Sequence, residues 1–131
     1  MAYMDAQLAL ATTQTVAADD TETISENIVD LTSASRDPGA GRPAYLKVLI
    51  TTAINQGTVT FKLYEHTAAT SVTSGNVILS FARASTALTA GTEVVIPIPP
   101  GEIDERYLGL SYANSEGSGN TGAFSAWIDL G

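Results

Sequence analysis

From Pro43 onward, apolar side chains recur at every second position, and this period of two constrains the fold more than any other feature of the chain. Leu46, Val48 and Ile50 alternate with Lys47, Leu49 and Thr51, and Val59, Phe61 and Leu63 alternate with Thr60, Lys62 and Tyr64. Successive side chains on a strand point to opposite faces, so each segment reads as a strand with one buried face. Further runs follow at Val77 to Phe81, Glu93 to Ile98, Tyr107 to Tyr112 and Phe124 to Leu130. Ser74-Gly75-Asn76, Thr89-Ala90-Gly91 and the tract Asn114 to Gly122 bound them with turn residues. Between the first two strands, Ile54-Asn55-Gln56-Gly57 offers the Asn and Gly that a tight hairpin uses, and the Gly/Ser tract before Phe124 reads as a hairpin tip. Adding a strand near Ile28 to Leu31 and one inside Gln7 to Val16 brings the total to about eight, with no helical pattern between them. The expected fold is all-β: a single-domain β-sandwich of jelly-roll type spanning the chain.

Two regions depart from this pattern. Residues 11–26 are rich in Thr, Ala and acids and poor in large apolar side chains, so residues 1–25 are a candidate N-terminal arm lying over the sandwich or over a neighbouring subunit. Pro97 interrupts an otherwise regular strand and removes a ladder donor, which places that strand at a sheet edge or its proline where no hydrogen bond is needed. Pro99-Pro100-Gly101 ends the strand, and Glu102-Ile103-Asp104-Glu105-Arg106 reads as a solvated corner leading to the next one, with Arg106 beside its carboxylates.

Composition removes several kinds of function. There is no cysteine, so disulfides and thiolate chemistry are excluded, and His66 is the single histidine, a poor basis for a zinc site. Fourteen acidic against six basic residues give a net charge of −8, with no Lys/Arg cluster, so nucleic acid is not an expected partner. No run approaches the roughly 18 apolar residues of a membrane span, and the N-terminus lacks the basic and apolar regions of an export signal, so synthesis in the cytosol is expected.

Catalytic and metal sites are equally hard to assemble. The acidic corner lacks the loop spacing of a calcium site and the facing carboxylates of a glycosidase. His66 has no Ser or Asp at a catalytic spacing. Asp19, Asp20, Glu22 and Glu26 read as a solvated polar run, and Gly117 to Gly122 leads into a strand rather than the helix N-terminus a phosphate loop requires. No enzyme, cofactor or metal is expected.

Aromatic residues on the outward phase carry more information. Phe124, Ala126, Ile128 and Leu130 share one face of the last strand, which leaves Trp127 with Ser125 and Asp129 on the other. Tyr107 likewise opposes Leu108, Leu110 and Tyr112, while Tyr45 and Leu49 oppose Leu46 and Val48. Large aromatics on a polar face need cover, either from the chain itself or from a partner, and Trp, Tyr and Arg dominate interface energies. Trp127, Tyr107, Tyr45, Leu49, Arg42 and Arg36 are therefore the candidate oligomer or partner interface.

The run LTAGTEVVIPIPPGEIDERYLGLSY, the later GAFSAWIDLG, NIVDLT upstream and GRPAYLKVLITTA in the middle together resemble the Bbp16-like family of tailed-phage capsid cement proteins. The resemblance covers essentially the whole chain. It implies a jelly roll that oligomerises, as a homodimer or homotrimer, and docks on the outer surface of the phage capsid to tie major capsid protein subunits together. It also implies that Glu105-Arg106-Tyr107-Leu108 is a structural strand start, and it transfers no catalytic residues.

The expected function is thus that of a non-enzymatic virion protein, with self and the major capsid protein as partners and neither nucleic acid nor membrane. On this expectation Trp127→Ala spares the monomer fold and weakens assembly. The alternative is a carbohydrate-binding β-sandwich that stacks sugars on Trp127 and Tyr107.

Overall fold

The structure is a computed structural model that describes residues 9–15, 23–24, 28–30, 44–68, 75–98, 105–116 and 121–129. Within these lie nine strands: β1 (Ala9–Thr15), β2 (Thr23–Ile24), β3 (Val29–Asp30), β4 (Tyr45–Thr52), β5 (Thr58–His66), β6 (Asn76–Ala84), β7 (Glu93–Pro97), β8 (Tyr107–Asn114) and β9 (Ala123–Asp129). One short 3-10 turn, Ser85–Ala87, follows β6.

The strands form two antiparallel sheets, one ordered β1-β9-β4-β7 and the other β2-β8-β5-β6, with β3 also paired to β8. The pairings nest: β5 with β6, β4 with β7, β2 and β3 with β8, and β1 with β9. A long hairpin rolled around a barrel axis produces this nesting, so the fold is the expected jelly roll. Since β2 and β3 lie end to end along one edge of β8, nine segments fill eight strand positions.

The alternation seen in the sequence becomes the core. Leu46, Val48, Ile50, Val59, Phe61, Leu63, Leu108, Leu110 and Phe124 are each fully enclosed between the sheets. Phe61 stacks on Phe81 with centroids 5.3 Å apart and meets Phe124 edge-on at 5.3 Å, and Phe124 meets Tyr112 edge-on at 5.2 Å. This chain of rings joins the two sheets, since Phe124 is on β9 and the others are on β5, β6 and β8. Edge-to-face and offset contacts of this kind add about 0.5–1.5 kcal/mol per pair beyond area burial.

Two hairpins expected from turn residues are not hairpins. β4 and β5 lie in different sheets, so Ile54 to Gly57 is a crossover between layers, as is the segment between β8 and β9. Gly57 does take a positive φ of 78°, and Asn114 from β8 holds the crossover, donating its Nδ2 hydrogen to the Gln56 carbonyl at 3.0 Å while its Oδ1 accepts the Glu116 N–H at 3.0 Å. Turn chemistry specifies a local reversal, whereas sheet membership depends on which strands compete for each edge. Pro97 sits on β7, an edge strand, as the missing donor demands.

The strand expected inside Gln7 to Val16 is β1, residues 9–15, which lies within the range also read as an arm and is part of the sandwich. β1 pairs with β9, and Leu10 and Ala11 are fully buried in the core. The two are consecutive, and the register shift between Ala9 and Ala11 lets both enter the core where a regular strand would bury only one. The acidic run Asp19 to Glu26, Glu102 and Asp104 of the corner, and the loop carrying Arg36 and Arg42 lie outside the described residues, β2 excepted.

Candidate functional site

Opposite residues in neighbouring strands share a face, so the registers of β7, β4, β9 and β1 define the outer surface of the four-stranded sheet row by row. One row runs Pro97, Tyr45, Asp129; the next Val95, Lys47, Trp127, Ala9; the third Glu93, Leu49, Ser125. The structure thereby brings three of the candidate interface residues, Tyr45, Leu49 and Trp127, onto one surface. Tyr45 and Leu49 are half-buried there, and Val95 is exposed at 44%.

Lys47, which the sequence marked only as an outward position, is the centre of this surface. Its Nζ lies 2.6 Å from Asp129 Oδ2 and 3.8 Å from Glu93 Oε1, so it bridges carboxylates on both neighbouring strands. The hydrogen bond to Asp129, followed by the charges of Asp129 and Glu93, raises the Lys47 pKa above the ordinary lysine value against a smaller opposing effect of desolvation. The signal for this trio was present in the outward phase of all three residues, but their pairing joins strands far apart in sequence.

Of the two kinds of cover expected for Trp127, the chain itself supplies one. The residue occupies the outward phase of β9, yet it is only 4% exposed in the single chain. β9 is central, flanked by β1 and β4, and is buried on both faces along almost its whole length. β1 pairs irregularly beside it: its register against β9 shifts twice, Thr13 adopts a positive φ of 49°, and the Thr13 N–H donates to the outward-facing Ser125 Oγ at 2.9 Å. The indole Nε1 is enclosed and has no hydrogen-bond acceptor among the described residues. A buried aromatic of this size is part of the packed structure, so Trp127→Ala is expected to damage the fold, the reverse of the sequence-based expectation.

Tyr107 lies on the other sheet, in the row Asp30, Tyr107, His66 on its outer face. Arg106 makes a bidentate pair with Asp30 of β3, Nε to Oδ1 at 2.7 Å and a terminal nitrogen to Oδ2 at 2.9 Å, and its guanidinium carbon stands 5.0 Å from the Tyr107 ring centroid. The hydrogen bond to Asp30 raises the arginine pKa further. Arg106 thus neutralises a carboxylate on a neighbouring strand, while Glu102 and Asp104 of its own corner lie outside the described residues. Glu65, 4% exposed, accepts the Glu105 N–H through Oε2 at 3.2 Å. Glu105 to Leu108 is accordingly a strand start pinned from both sides, by β3 and by β5. With Trp127 enclosed and Tyr107 on the opposite sheet, the two aromatics do not form a common sugar-stacking platform.

His66 ends β5 half-buried, with its Nδ1 3.0 Å from the Ala68 amide. Among the described residues no three His, Asp or Glu side chains converge as a metal site, and no helix is long and apolar enough to cross a membrane.

No curated protein matches the chain. The model of the Bbp16 family matches residues 10–128, from the first core residue of β1 to the penultimate residue of β9. With the match spanning every strand of the jelly roll, the chain belongs to the Bbp16 family, a phage-associated family.

Proposed function

We propose that this protein is a cement protein of a tailed-phage head, binding the outer capsid surface as an oligomer and bridging major capsid subunits. The observation that carries the proposal is the outer face of the four-stranded sheet. There Tyr45, Leu49 and Val95 stand around the Lys47 ion-pair trio on a rigid antiparallel scaffold, a mixed apolar and charged surface suited to another protein. Membership of a phage-associated family supports the setting.

The mechanism is linkage rather than catalysis. A capsid repeats the same site many times, so modest contacts from each copy of an oligomer combine through effective concentration and gain about 10²- to 10⁴-fold in avidity. A ligand that binds the assembled lattice and not its dissociated subunits stabilises it by mass action, about 2.7 kcal/mol per site at a hundred times the dissociation constant.

The test is co-sedimentation of the purified protein with expanded, undecorated phage heads, followed by thermal melting of the pelleted particles. Saturable binding in a whole-number ratio to lattice symmetry sites, with a raised melting temperature, is the expected result. Absence of binding at micromolar concentration rejects the proposal.

A further inference from the structure

The sheet edges of this molecule are unequally protected. An exposed edge strand is a template for pairing with another chain, and proteins normally blunt it with proline, bulges or brevity. β7 spans five residues and carries Pro97; β1 breaks register twice; β2 and β3 are two residues each. β6, by contrast, runs nine residues, contains no proline, and among the described residues pairs on one side only, with β5.

Its side chains are also unfinished. Ile78, Leu79 and Phe81 pack against the core yet remain only partly buried, as does Ile96 on the facing edge, and Val77 is 48% exposed. A single register shift leaves Ile78 as the extra residue, so Leu79 to Ala84 is an uninterrupted stretch. Leu79, Phe81 and Arg83 oppose Leu63, Phe61 and Val59 on the inward phase, and the outward phase carries Ser80, Ala82 and Ala84, all exposed and small.

We infer that β6 is the self-association surface, pairing antiparallel with β6 of a second copy about a two-fold axis through Phe81. Facing residues must share a face, and the longest such register that keeps both Leu79 and Phe81 within the uninterrupted stretch sets Phe81 against the partner's Phe81, Leu79 against the partner's Arg83, and Ser80 against the partner's Ala82. The two half-open apolar rows become continuous, with each arginine stem lying over a leucine. Charge permits the approach. β5 and β6 carry Lys62 and Arg83 against one carboxylate, Glu65, which is turned inward and buried, in a chain whose net charge is −8. Among the residues of β5 and β6, pairing at this edge brings no exposed carboxylates together. The product is one sheet continuous across two jelly rolls, and the extra residue at each Ile78 ends the pairing. For its purpose the inference rests on the proposed oligomeric role; its geometry does not.

The test is sedimentation velocity on the full chain from about 1 to 100 µM, with two double variants at positions exposed in the single chain. Wild type is expected to be a dimer. Ser80→Lys with Ala82→Lys sets like charges opposite each other twice and weakens the dimer about tenfold or more, with an unchanged far-UV CD spectrum. Ser80→Lys with Ala82→Glu sets opposite charges in the same places and retains the dimer. A monomeric or trimeric wild type, a double-lysine variant that dimerises like wild type, or a lysine–glutamate variant that dissociates would each overturn the assignment. A monomer that still decorates phage heads removes the edge pairing alone, and a dimer that does not removes the head-binding role alone.

Discussion

Replacing Trp127 with phenylalanine and with alanine separates two properties of the same side chain, its bulk and its unsatisfied N–H. In the alanine variant the ring of a residue only 4% exposed is lost from a strand buried on both faces, and large-to-small changes of this kind cost about 3–5 kcal/mol. In the phenylalanine variant about two carbons of buried surface disappear, at about 0.8 kcal/mol each. Against this, an enclosed donor without an acceptor among the described residues is removed, which relieves a penalty of about 1–3 kcal/mol. The two effects nearly cancel, so Trp127→Phe should stay within about 1 kcal/mol of wild type. Urea unfolding resolves the difference: with a slope of about 2 kcal/mol/M, the alanine midpoint falls by about 2 M and the phenylalanine midpoint moves by less than about 0.5 M. Far-UV circular dichroism is the appropriate probe, since both variants lack the chain's single tryptophan. If phenylalanine costs as much as alanine, the indole N–H makes a stabilising bond and the reasoning fails. If alanine costs less than about 1 kcal/mol, the residue is not part of the packed structure at all.

Asn114→Ala removes the hydrogen bond that holds the β4–β5 crossover and a local one after β8, and leaves the Gln56 carbonyl and Glu116 N–H to find new partners; a loss of about 1–3 kcal/mol in chemical denaturation is expected. Gly122→Ala forces a side chain onto a φ of 134° and against the Ile54 side chain and the Ala53 carbonyl, so it should destabilise by more than about 1 kcal/mol, seen as a melting temperature lower by about 4 °C or more. The raised Lys47 pKa implies an alkaline effect. A cation whose folded pKa exceeds its unfolded value contributes fully at neutral pH and loses that contribution as pH rises through the raised value, so the stability of wild type relative to Lys47→Met should decline only above the ordinary lysine range. Melting temperatures of the two proteins measured across that range check the sign.

The inward rows were legible because their signal is local. Leu46, Val48 and Ile50, then Leu108, Leu110 and Tyr112, then Phe124, Ala126 and Ile128 were all assigned to buried faces from alternation alone, and all are buried. The edge position of β7 was legible from Pro97 for the same reason, since a missing donor is a property of one residue. The candidate surface was legible in part. Outward phase identified Tyr45, Leu49 and Trp127, but the importance of Lys47 depends on Asp129 and Glu93 lying across from it, and no local pattern states which strands are neighbours.

The sequence by itself determined an all-β chain, the two faces of each long strand and the acidic, cysteine-free character of its surface, because period, propensity and charge are written residue by residue. Tertiary structure alone decided that the Ile54 to Gly57 turn crosses between sheets, that Ala9–Thr15 completes an edge, and that Trp127 is enclosed while β6 has one strand neighbour among the described residues. Each of these follows from competition among strands for pairing partners, an energy that exists only once distant segments meet.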